Sequence, residues 1–510
     1  MPSPAKSKRP FRDGVCAVVA TGKASEALRD LRRAMRYTRT VELRFDWLDS
    51  DRERTKFLAA IRRLPRRGLT LVATCRRILG GGKLAGGAQA ELYWLSQARE
   101  SGCQWCDLEI ETLGELPGRS ARSLPIPPKF LLSFHDFERT PPLPSRVLHA
   151  HRGEADAVKI ATRAQNLSDS LRLLRLAHES SDLVSVPMGE VGLPARLLAL
   201  REGSALAYAP VATATAPGQV SLHEFKRLYR ADKVTPKTGI YGVIGNPIGH
   251  SLSPLLHNSG YVAAKRDAMF LPFLVEDLSE FLKAIPDFGL RGFSVTIPHK
   301  QAILKHLAEC EPIAEKIGAV NTVVVAKDGK LHGSNTDYLG VSRALSGKLH
   351  LPGSRALIFG AGGSARAAAL ALANLGAEVL ICARRDSAAR ELAKACNGLP
   401  ISRKYLSSAR FEVIVNATPV GMYPRAGVSP LSPEELNCKF VLDLIYRPRF
   451  TELLRIASRK RIRVISGVEM FLAQGFAQWE LFVGQPAPEA AMRRAVMAKL
   501  RSEDSSHRRK

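Results

Sequence analysis

Between Gly14 and Ala212 the chain alternates short apolar runs of strand length with helical stretches, about eight times over. The runs are Val15–Ala20, Val41–Trp47, Leu69–Arg76, Trp105–Glu111, Phe130–Phe137, Ala157–Thr162, Leu183–Met188 and Ala205–Val211. Apolar runs separated by helices read as parallel strands covered on both faces. About eight of them, in a segment of roughly 230 residues, predict a (β/α)8 barrel. Polar residues fall late in these runs, and in such barrels the C-terminal strand ends build the site. A chain of 510 residues holds more than this one domain.

Glu42, Arg44 and Asp46 alternate in the second run, so period-two geometry sets them on one inward face, with Val41, Leu43 and Phe45 on the other. Buried charges of both signs need partners. A purely structural ion network is the competing reading. Arg76 ends the third run, and His135 stands near the end of the fifth in L-L-S-F-H-D-F. Lys159 lies in A-V-K-I-A, apolar on both sides. Burial and nearby cations favour the uncharged, nucleophilic form of a lysine. The plainer reading is a snorkelling side chain at a strand end. A histidine and a lysine on adjacent strands form a Schiff-base constellation.

Charge and composition bound the alternatives. Lys and Arg number 75 against 48 Asp and Glu, a net charge of +27, so nucleic acid has to be considered. The arginines are dispersed, aromatics are 6%, and no interleaved basic–aromatic patch occurs, which fits an enzyme for anionic small molecules better. No apolar run reaches the roughly 18 residues of a membrane span. Asp13 and Gly14 interrupt any signal-like core behind the basic N-terminus, and the reading is a cytoplasmic protein. Eight cysteines in this length are no disulfide framework, and Cys103 and Cys106 read as two thiols in a strand region. No metal site is expected.

The second half opens with Ile240–Asn258, IYGVIGNPIGHSLSPLLHN: an apolar strand, a Gly/Asn/Pro turn, then Ser251, Ser253 and a helix begun at Pro254. Hydroxyls at a strand-to-helix junction suit a small anion, or a simple serine cap. A strand over Gly292–Pro298 delivers Thr296 and then His299 and Lys300, a strand over Val320–Val325 carries Asn321, and a helix opened by Asn335 holds Asp337 in its first turn. A Lys–Asp pair taken alone reads as a surface ion pair. Further on, the strand Arg355–Phe359 runs into G-A-G-G-S-A at Gly360–Ala365 and an alanine-rich helix, the context of a dinucleotide fold. The next strand, Glu378–Cys382, ends in Ala383-Arg384-Arg385-Asp386.

Two resemblances follow from these motifs. E-L-R-F-D at Glu42–Asp46, Arg76, S-F-H-D-F at Ser133–Phe137, V-K-I-A at Val158–Ala161, M-G-E-V-G-L-P-A-R at Met188–Arg196 and A-P-G-Q at Ala216–Gln219 resemble type I 3-dehydroquinate dehydratase. The resemblance implies that Lys159 forms an iminium with the substrate ketone and that His135 moves the protons. It implies that Arg196, Gln219 and Thr215 hold the substrate, with Glu42, Arg44 and Arg76 lining the rest. Two residues depart from that family. Gly80 stands where it has a glutamate, which bears on how His135 is oriented, and Thr215 replaces a serine.

S-L-S-P-x-x-H-N, S-V-T-I-P-H-K at Ser294–Lys300, A-V-N-T at Ala319–Thr322 and N-T-D at Asn335–Asp337 resemble the shikimate dehydrogenase family. Its fold is an α/β substrate domain followed by a Rossmann NADP-binding domain. The resemblance implies Lys300 and Asp337 as the catalytic pair. It implies Ser251, Ser253, Thr296, Asn321, Tyr446 and Gln474 as substrate contacts. Gly360, Ala361, Gly362, Gly363, Ser364, Ala365, Asn416, Thr418, Met422 and Gly467 would hold the cofactor, with Arg384 and Arg385 on the 2′-phosphate of NADPH. Asp386 leaves NAD as the alternative.

The expected layout is a disordered basic arm (1–12), a barrel (13–230), a linker (231–239), a substrate domain (240–342, completed by 468–502), a nucleotide domain (343–467) and a basic tail (503–510). Two consecutive steps of the shikimate pathway would then share one chain. A weakened regulatory descendant, or a dehydrogenase acting on quinate as well, are the alternatives.

Overall fold

The computed structural model describes residues 10–11, 13–65, 68–115, 129–150, 153–212, 218–423 and 426–507. In the first half the apolar runs become β1 (Val15–Val19), β2 (Thr40–Arg44), β3 (Thr70–Thr74), β4 (Trp105–Glu109), β5 (Phe130–Asp136), β6 (Ala157–Arg163), β7 (Leu183–Met188) and β8 (Ala207–Pro210). They pair side by side in the order β7-β6-β5-β4-β3-β2-β1-β8, in parallel. At the seam Ala205 N–H donates to the Leu183 carbonyl at 2.7 Å, so the sheet is a nearly closed barrel. One set of alternate side chains packs outward under the helices. The other fills the interior, apolar at the N-terminal end and charged at the C-terminal end.

Three expectations change here. β2 stops at Arg44, and Phe45–Trp47 is a 3-10 turn, so Asp46 is not on the strand. The ladder partner of Arg44 is Thr74, the last residue of β3, so no neighbour remains for Asp46 to pair with. The fourth strand stops at Glu109, because a helix starts at Ile110. Phe11, expected in a disordered arm, is buried with its ring 4.2 Å from that of Trp105, among the apolar residues that fill this end of the barrel. Residues 1–9 and 12 of that arm lie outside the described residues, as does Thr215.

The chain divides into two compact units, residues 1–238 with 271–288, and 239–270 with 289–510. Arg175 donates to Asp287 at 2.5 Å, and Ser168 N–H and Oγ both donate to Glu280 at 2.8 Å.

Beyond the linker, β9 (Gly239–Gly245), β10 (Ala268–Leu274), β11 (Leu290–Val295), β12 (Glu309–Cys310), β13 (Thr322–Val325) and β14 (Leu331–Ser334) form a mixed sheet of order β10-β9-β11-β13-β14-β12. Thr296 and Asn321, expected within strands, sit just past β11 and just before β13. Strand ends place their side chains beside the next loop rather than against a sheet face. A second six-stranded sheet follows: β15 (Arg355–Phe359), β16 (Glu378–Cys382), β17 (Leu399–Pro400), β18 (Phe411–Asn416), β19 (Cys438–Asp443) and β20 (Arg463–Ser466). Its order, β17-β16-β15-β18-β19-β20, is doubly wound and parallel, with a crevice where the order reverses at β15.

The last helix, Glu489–His507, runs through the expected basic tail. Arg447 Nη2 donates to Glu503 at 2.8 Å and Arg449 Nε to Asp504 at 3.2 Å, which holds this end in place. Residues 508–510 lie outside the described residues. No helix among the described residues is long and apolar enough to cross a membrane.

Candidate active sites

The barrel's charged end is built by alternate residues on neighbouring strands. β4 contributes Asp107 and Glu109, β5 Ser133 and His135, and β6 Lys159, which is level with Ser133 in the ladder. Lys159 is buried and ion-paired to Asp107, and its Nζ lies 3.9 Å from Glu42 Oε1 and 5.1 Å above the Tyr208 ring. Carboxylates therefore surround this lysine, where an apolar sleeve with cations was expected. The reason is tertiary: Asp107 and Glu42 arrive from strands distant in sequence.

Arg76 lies between two of these carboxylates. Its Nε donates to Glu109 Oε1 at 2.7 Å and its Nη2 to Asp107 Oδ2 at 3.3 Å. Burial by itself would raise the Asp107 carboxyl, but Lys159 and Arg76 outweigh it and hold the group well below the ordinary range. Glu109 follows the same balance, with burial opposed by Arg76 and His135, and is held at about 2. His135 Nδ1 is 2.9 Å from Glu109 Oε2. Burial, then Arg76, depress its imidazole to about 4. A neutral imidazole beside an ionised, acceptor-only carboxylate carries its proton on Nδ1, which leaves Nε2 as the free lone pair.

Arg44 is tied to Asp46 through two bonds, at 2.9 and 2.7 Å. Glu42 accepts from Thr74 Oγ1 at 2.8 Å. Arg196, on the helix Leu193–Leu198, differs from these. It is 3% exposed, and its Nε and Nη1 have no hydrogen-bond partner among the described residues. Burial alone lowers its guanidinium to about 10. The same cavity is lined by Lys159, His135, Arg196, Tyr208 and Gln219. The Tyr208 hydroxyl is also buried there, without a partner among the described residues.

Asp107, Glu109 and Tyr208 had not been singled out from the sequence. Asp107 and Glu109 carry the same period-two signal in D-L-E that marked Glu42 and Arg44. Tyr208 carries none beyond its place in an apolar run.

The second constellation lies between β11, β13 and the helix Thr336–Leu345. Asn335 caps that helix, accepting from Asp337 N–H at 3.0 Å and Tyr338 N–H at 3.3 Å, which fixes the Asp337 side chain at its first turn. Lys300 Nζ donates to Asp337 Oδ2 at 2.5 Å and to Ser364 Oγ at 3.2 Å. Asn321 Nδ2 donates to Asp337 Oδ1 at 2.8 Å and to Thr336 Oγ1 at 3.0 Å, and Gln474 Oε1 lies 3.5 Å from it. The Lys–Asp pair is half enclosed within a polar network rather than exposed.

Ser253 N–H donates to Ser251 Oγ at 3.2 Å, a local turn that holds Ser251 at the helix start. Tyr446 stacks on Phe471 with ring centres 4.2 Å apart. Burial raises its phenol, and the Leu252 backbone and Ser251 hydroxyl act against that rise, so Tyr446 and Ser251 share one corner. Thr296 faces Gly245, where an added Cβ would come within 2.5 Å of its methyl. The structure adds Gln478, which donates to the Asn321 carbonyl at 3.2 Å and to Thr322 Oγ1 at 3.1 Å.

The loop after β15 fits a dinucleotide pyrophosphate. Gly360 has φ +124°, a left-handed conformation, and a Cβ there would meet the Ala417 carbonyl at 3.0 Å. Gly362 faces open space, and the helix Gly363–Asn374 starts there with no side-chain cap among the described residues, an end that suits an anion. A Cβ at Gly363 would lie 3.2 Å from Lys300 Cβ, so the loop and Lys300 are in close approach. Ala361 and Ala365 pack this loop on the domain core. Arg384, Arg385 and Asp386 are exposed at the end of β16.

Asn416 is fully buried, donating to Asp443 at 2.9 Å and accepting from Thr418 N–H at 3.0 Å, so its side chain shapes the loop after β18 from below. Burial pushes Asp443 up to about 6. Met422 N–H donates to the Pro419 carbonyl at 3.2 Å in the same loop. Gly467 admits no side chain, since a Cβ would lie 2.6 Å from the carbonyls of Asp443 and Ile445.

Comparison with known proteins gives three family matches: type I 3-dehydroquinase over residues 15–236, the shikimate dehydrogenase substrate-binding domain over 243–323, and the shikimate 5′-dehydrogenase C-terminal domain over 467–497. A chloroplastic bifunctional 3-dehydroquinate dehydratase/shikimate dehydrogenase of Arabidopsis thaliana is 33% identical over 497 residues, covering 92% of this chain and 80% of that protein. A shikimate dehydrogenase (NADP(+)) of Moorella thermoacetica is 42% identical over 279 residues, 52% of this chain and 94% of that protein. Among solved structures, shikimate 5-dehydrogenase of Thermus thermophilus, in complex with NADP(H) and shikimate, aligns at 33% identity with a TM-score of 0.47, covering 51% of this chain and 99% of that one.

Proposed function

The chain belongs to the family of bifunctional 3-dehydroquinate dehydratase/shikimate dehydrogenases, and we propose that it performs both reactions at the two sites described above. 3-Dehydroquinate is dehydrated to 3-dehydroshikimate in the barrel, and 3-dehydroshikimate is reduced to shikimate, with NADPH, in the second unit. The observation that carries this reading is Arg196. A buried guanidinium whose Nε and Nη1 have no partner among the described residues, lining one cavity with Lys159 and His135, asks for an anionic ligand beside a nucleophile and a base.

In the barrel, the Lys159 ammonium passes its proton on and the amine adds to the C3 carbonyl. Loss of water gives the iminium. His135 Nε2 takes a proton from C2, and the electron pair moves into the iminium nitrogen. The pair then returns to form the C1–C2 double bond, and the C1 hydroxyl leaves as water with a proton from His135. Water releases the product and regenerates the amine. Arg196 and Gln219 hold the carboxylate and hydroxyls throughout, with Thr215 assigned to the same set from the motif. Arg76 and Arg44, each committed to carboxylates, keep the wall of the site in place.

In the second unit, bound NADPH supplies the hydride that reduces the ketone. Lys300 donates the proton that the developing alkoxide takes up. Asp337 and Asn321 hold that ammonium against the substrate hydroxyls. Ser251, Ser253 and Tyr446 receive the carboxylate, and Thr296 and Gln474 complete the contacts. The glycines after β15 would hold the pyrophosphate through backbone N–H groups, and Arg384 and Arg385 would pair with the 2′-phosphate.

We take the barrel as 13–230, the substrate domain as 240–342 with 468–502, and the nucleotide domain as 343–467. All eight cysteines are free, which suits a reducing compartment, and we propose the cytoplasm; fractionation of the native cell tests this. The function is tested with purified protein, dehydroquinate and NADPH. The expected product is shikimate, with dehydroshikimate as the intermediate. Unchanged dehydroquinate would refute the reading.

A further inference from the structure

The dehydratase resemblance places a glutamate at position 80, and this chain has glycine there. The structure leaves His135 no less firmly held. Among the described residues one carboxylate reaches its ring, and it comes from the neighbouring strand: Glu109 Oε2 lies 2.9 Å from Nδ1 while Oε1 takes Arg76 Nε at 2.7 Å. The carboxylate is thus fixed by one partner and fixes the other. Phe137 stacks on the imidazole, with ring centres 5.8 Å apart and planes 13° from parallel. The ring can neither rotate nor exchange its tautomer without breaking these contacts.

A side chain at position 80 would start beside the Glu109 carboxylate. A Cβ built on Gly80 lies 3.5 Å from Glu109 Oε2 and 3.3 Å from Arg76 Cγ. A glutamate there would grow into the ion pair that Glu109 now makes. Its backbone is not left-handed, unlike that of Gly81 (φ +75°), and the nearest obstacle is a flexible side chain, so glutamate is conformationally possible at 80. The remaining charged groups around His135 are Arg76, Lys159 and Asp107, which belong to other ion pairs.

We propose that Glu109 is the positioning residue for His135 in this chain, where position 80 carries no carboxylate. The inference rests on the reading of His135 as the dehydratase base. Glu109 accepts the Nδ1 proton, sets the tautomer that leaves Nε2 bare, and raises the basicity that burial and Arg76 lower.

The test uses the full chain and dehydroquinate. In Glu109→Ala, kcat of the dehydratase falls about 10²-fold, within the range that general acid–base catalysis supplies, while KM stays within about threefold. Borohydride trapping at Lys159 persists, which reports an intact site. Adding Gly80→Glu to Glu109→Ala restores kcat about tenfold or more, a recovery that a merely structural role for Glu109 does not produce. If Glu109→Ala fails to fold, Glu109→Gln keeps the shape and loses the charge, and the acid limb of its kcat profile moves to lower pH. The inference is overturned if Glu109→Ala keeps more than about a third of wild-type kcat, or if Gly80→Glu brings no recovery while trapping persists. Wild-type turnover in His135→Ala would instead overturn the reading beneath it.

Discussion

Arg196 is enclosed with two guanidinium nitrogens unpaired among the described residues, so in the proposed role it destabilises the free protein while serving the ligand. Replacing it with methionine therefore has two opposite effects. KM for dehydroquinate rises roughly 10- to 100-fold, the worth of a charge-assisted hydrogen bond of about 1.5–3 kcal/mol, and the melting temperature rises. Steady-state kinetics and calorimetry read both; a lower melting temperature with unchanged KM would refute the assignment. Lys159→Ala removes the nucleophile, so borohydride with dehydroquinate adds mass to the wild type and none to the variant. An adduct on another residue, or undiminished turnover, would remove Lys159 from the mechanism. His257 gives a test of pH dependence away from the barrel chemistry. Burial against Phe270, whose ring centre is 4.3 Å away, depresses it to about 4, opposed by Gln478. Between pH 6.5 and 4 the unfolded chain binds a proton that the folded one refuses, so stability falls as pH falls through that window. By pH 5 the loss from this residue is about 2 kcal/mol. Urea denaturation of wild type and His257→Gln at pH 7 and pH 5 measures it as the difference in slope.

Elements set which residues can meet. The fourth barrel strand offers Asp107 and Glu109 inward because a strand alternates its faces, and the segment after β3 and the end of β5 bring Arg76 and His135 within hydrogen-bond reach of Glu109. The order of these strands follows from local pattern: each apolar run is followed by its own helix, so sequential strands become neighbours. In the nucleotide domain, the end of β16 presents Arg384 and Arg385 in solvent, with Asp386 opening the next helix. Two guanidiniums facing one carboxylate favour a phosphate over a ribose hydroxyl. Arg384→Ala should lower kcat/KM for NADPH about tenfold or more and leave that for NADH nearly unchanged. Equal loss with both cofactors, or a wild type that prefers NADH, would overturn this assignment.

For the whole molecule the two sites use separate residues and separate sheets, so each chemistry should survive loss of the other. Lys300→Ala should turn dehydroquinate into dehydroshikimate and stop, and Lys159→Ala should still reduce added dehydroshikimate; product analysis separates the two. Loss of both activities in either folded variant would show the sites to be interdependent. The barrel and the doubly wound sheet were legible in the sequence because each strand is a contiguous run and each glycine turn is local. Lys159, His135, Lys300 and Asp337 stood out because their motifs are short and continuous. Whether Lys159 sits in an apolar sleeve or between carboxylates was not legible, nor was Arg196's lack of a partner among the described residues or the hold of Glu109 on His135. The same is true of Phe11 under the barrel and of Glu503 on Arg447. Those facts depend on pairings between residues tens of positions apart. The sequence by itself determined which elements form and which chemistry they carry. Only the tertiary structure decided which charges neutralise one another and which is left bare, because burial makes a charge's partner, rather than its neighbours in the chain, decide its state.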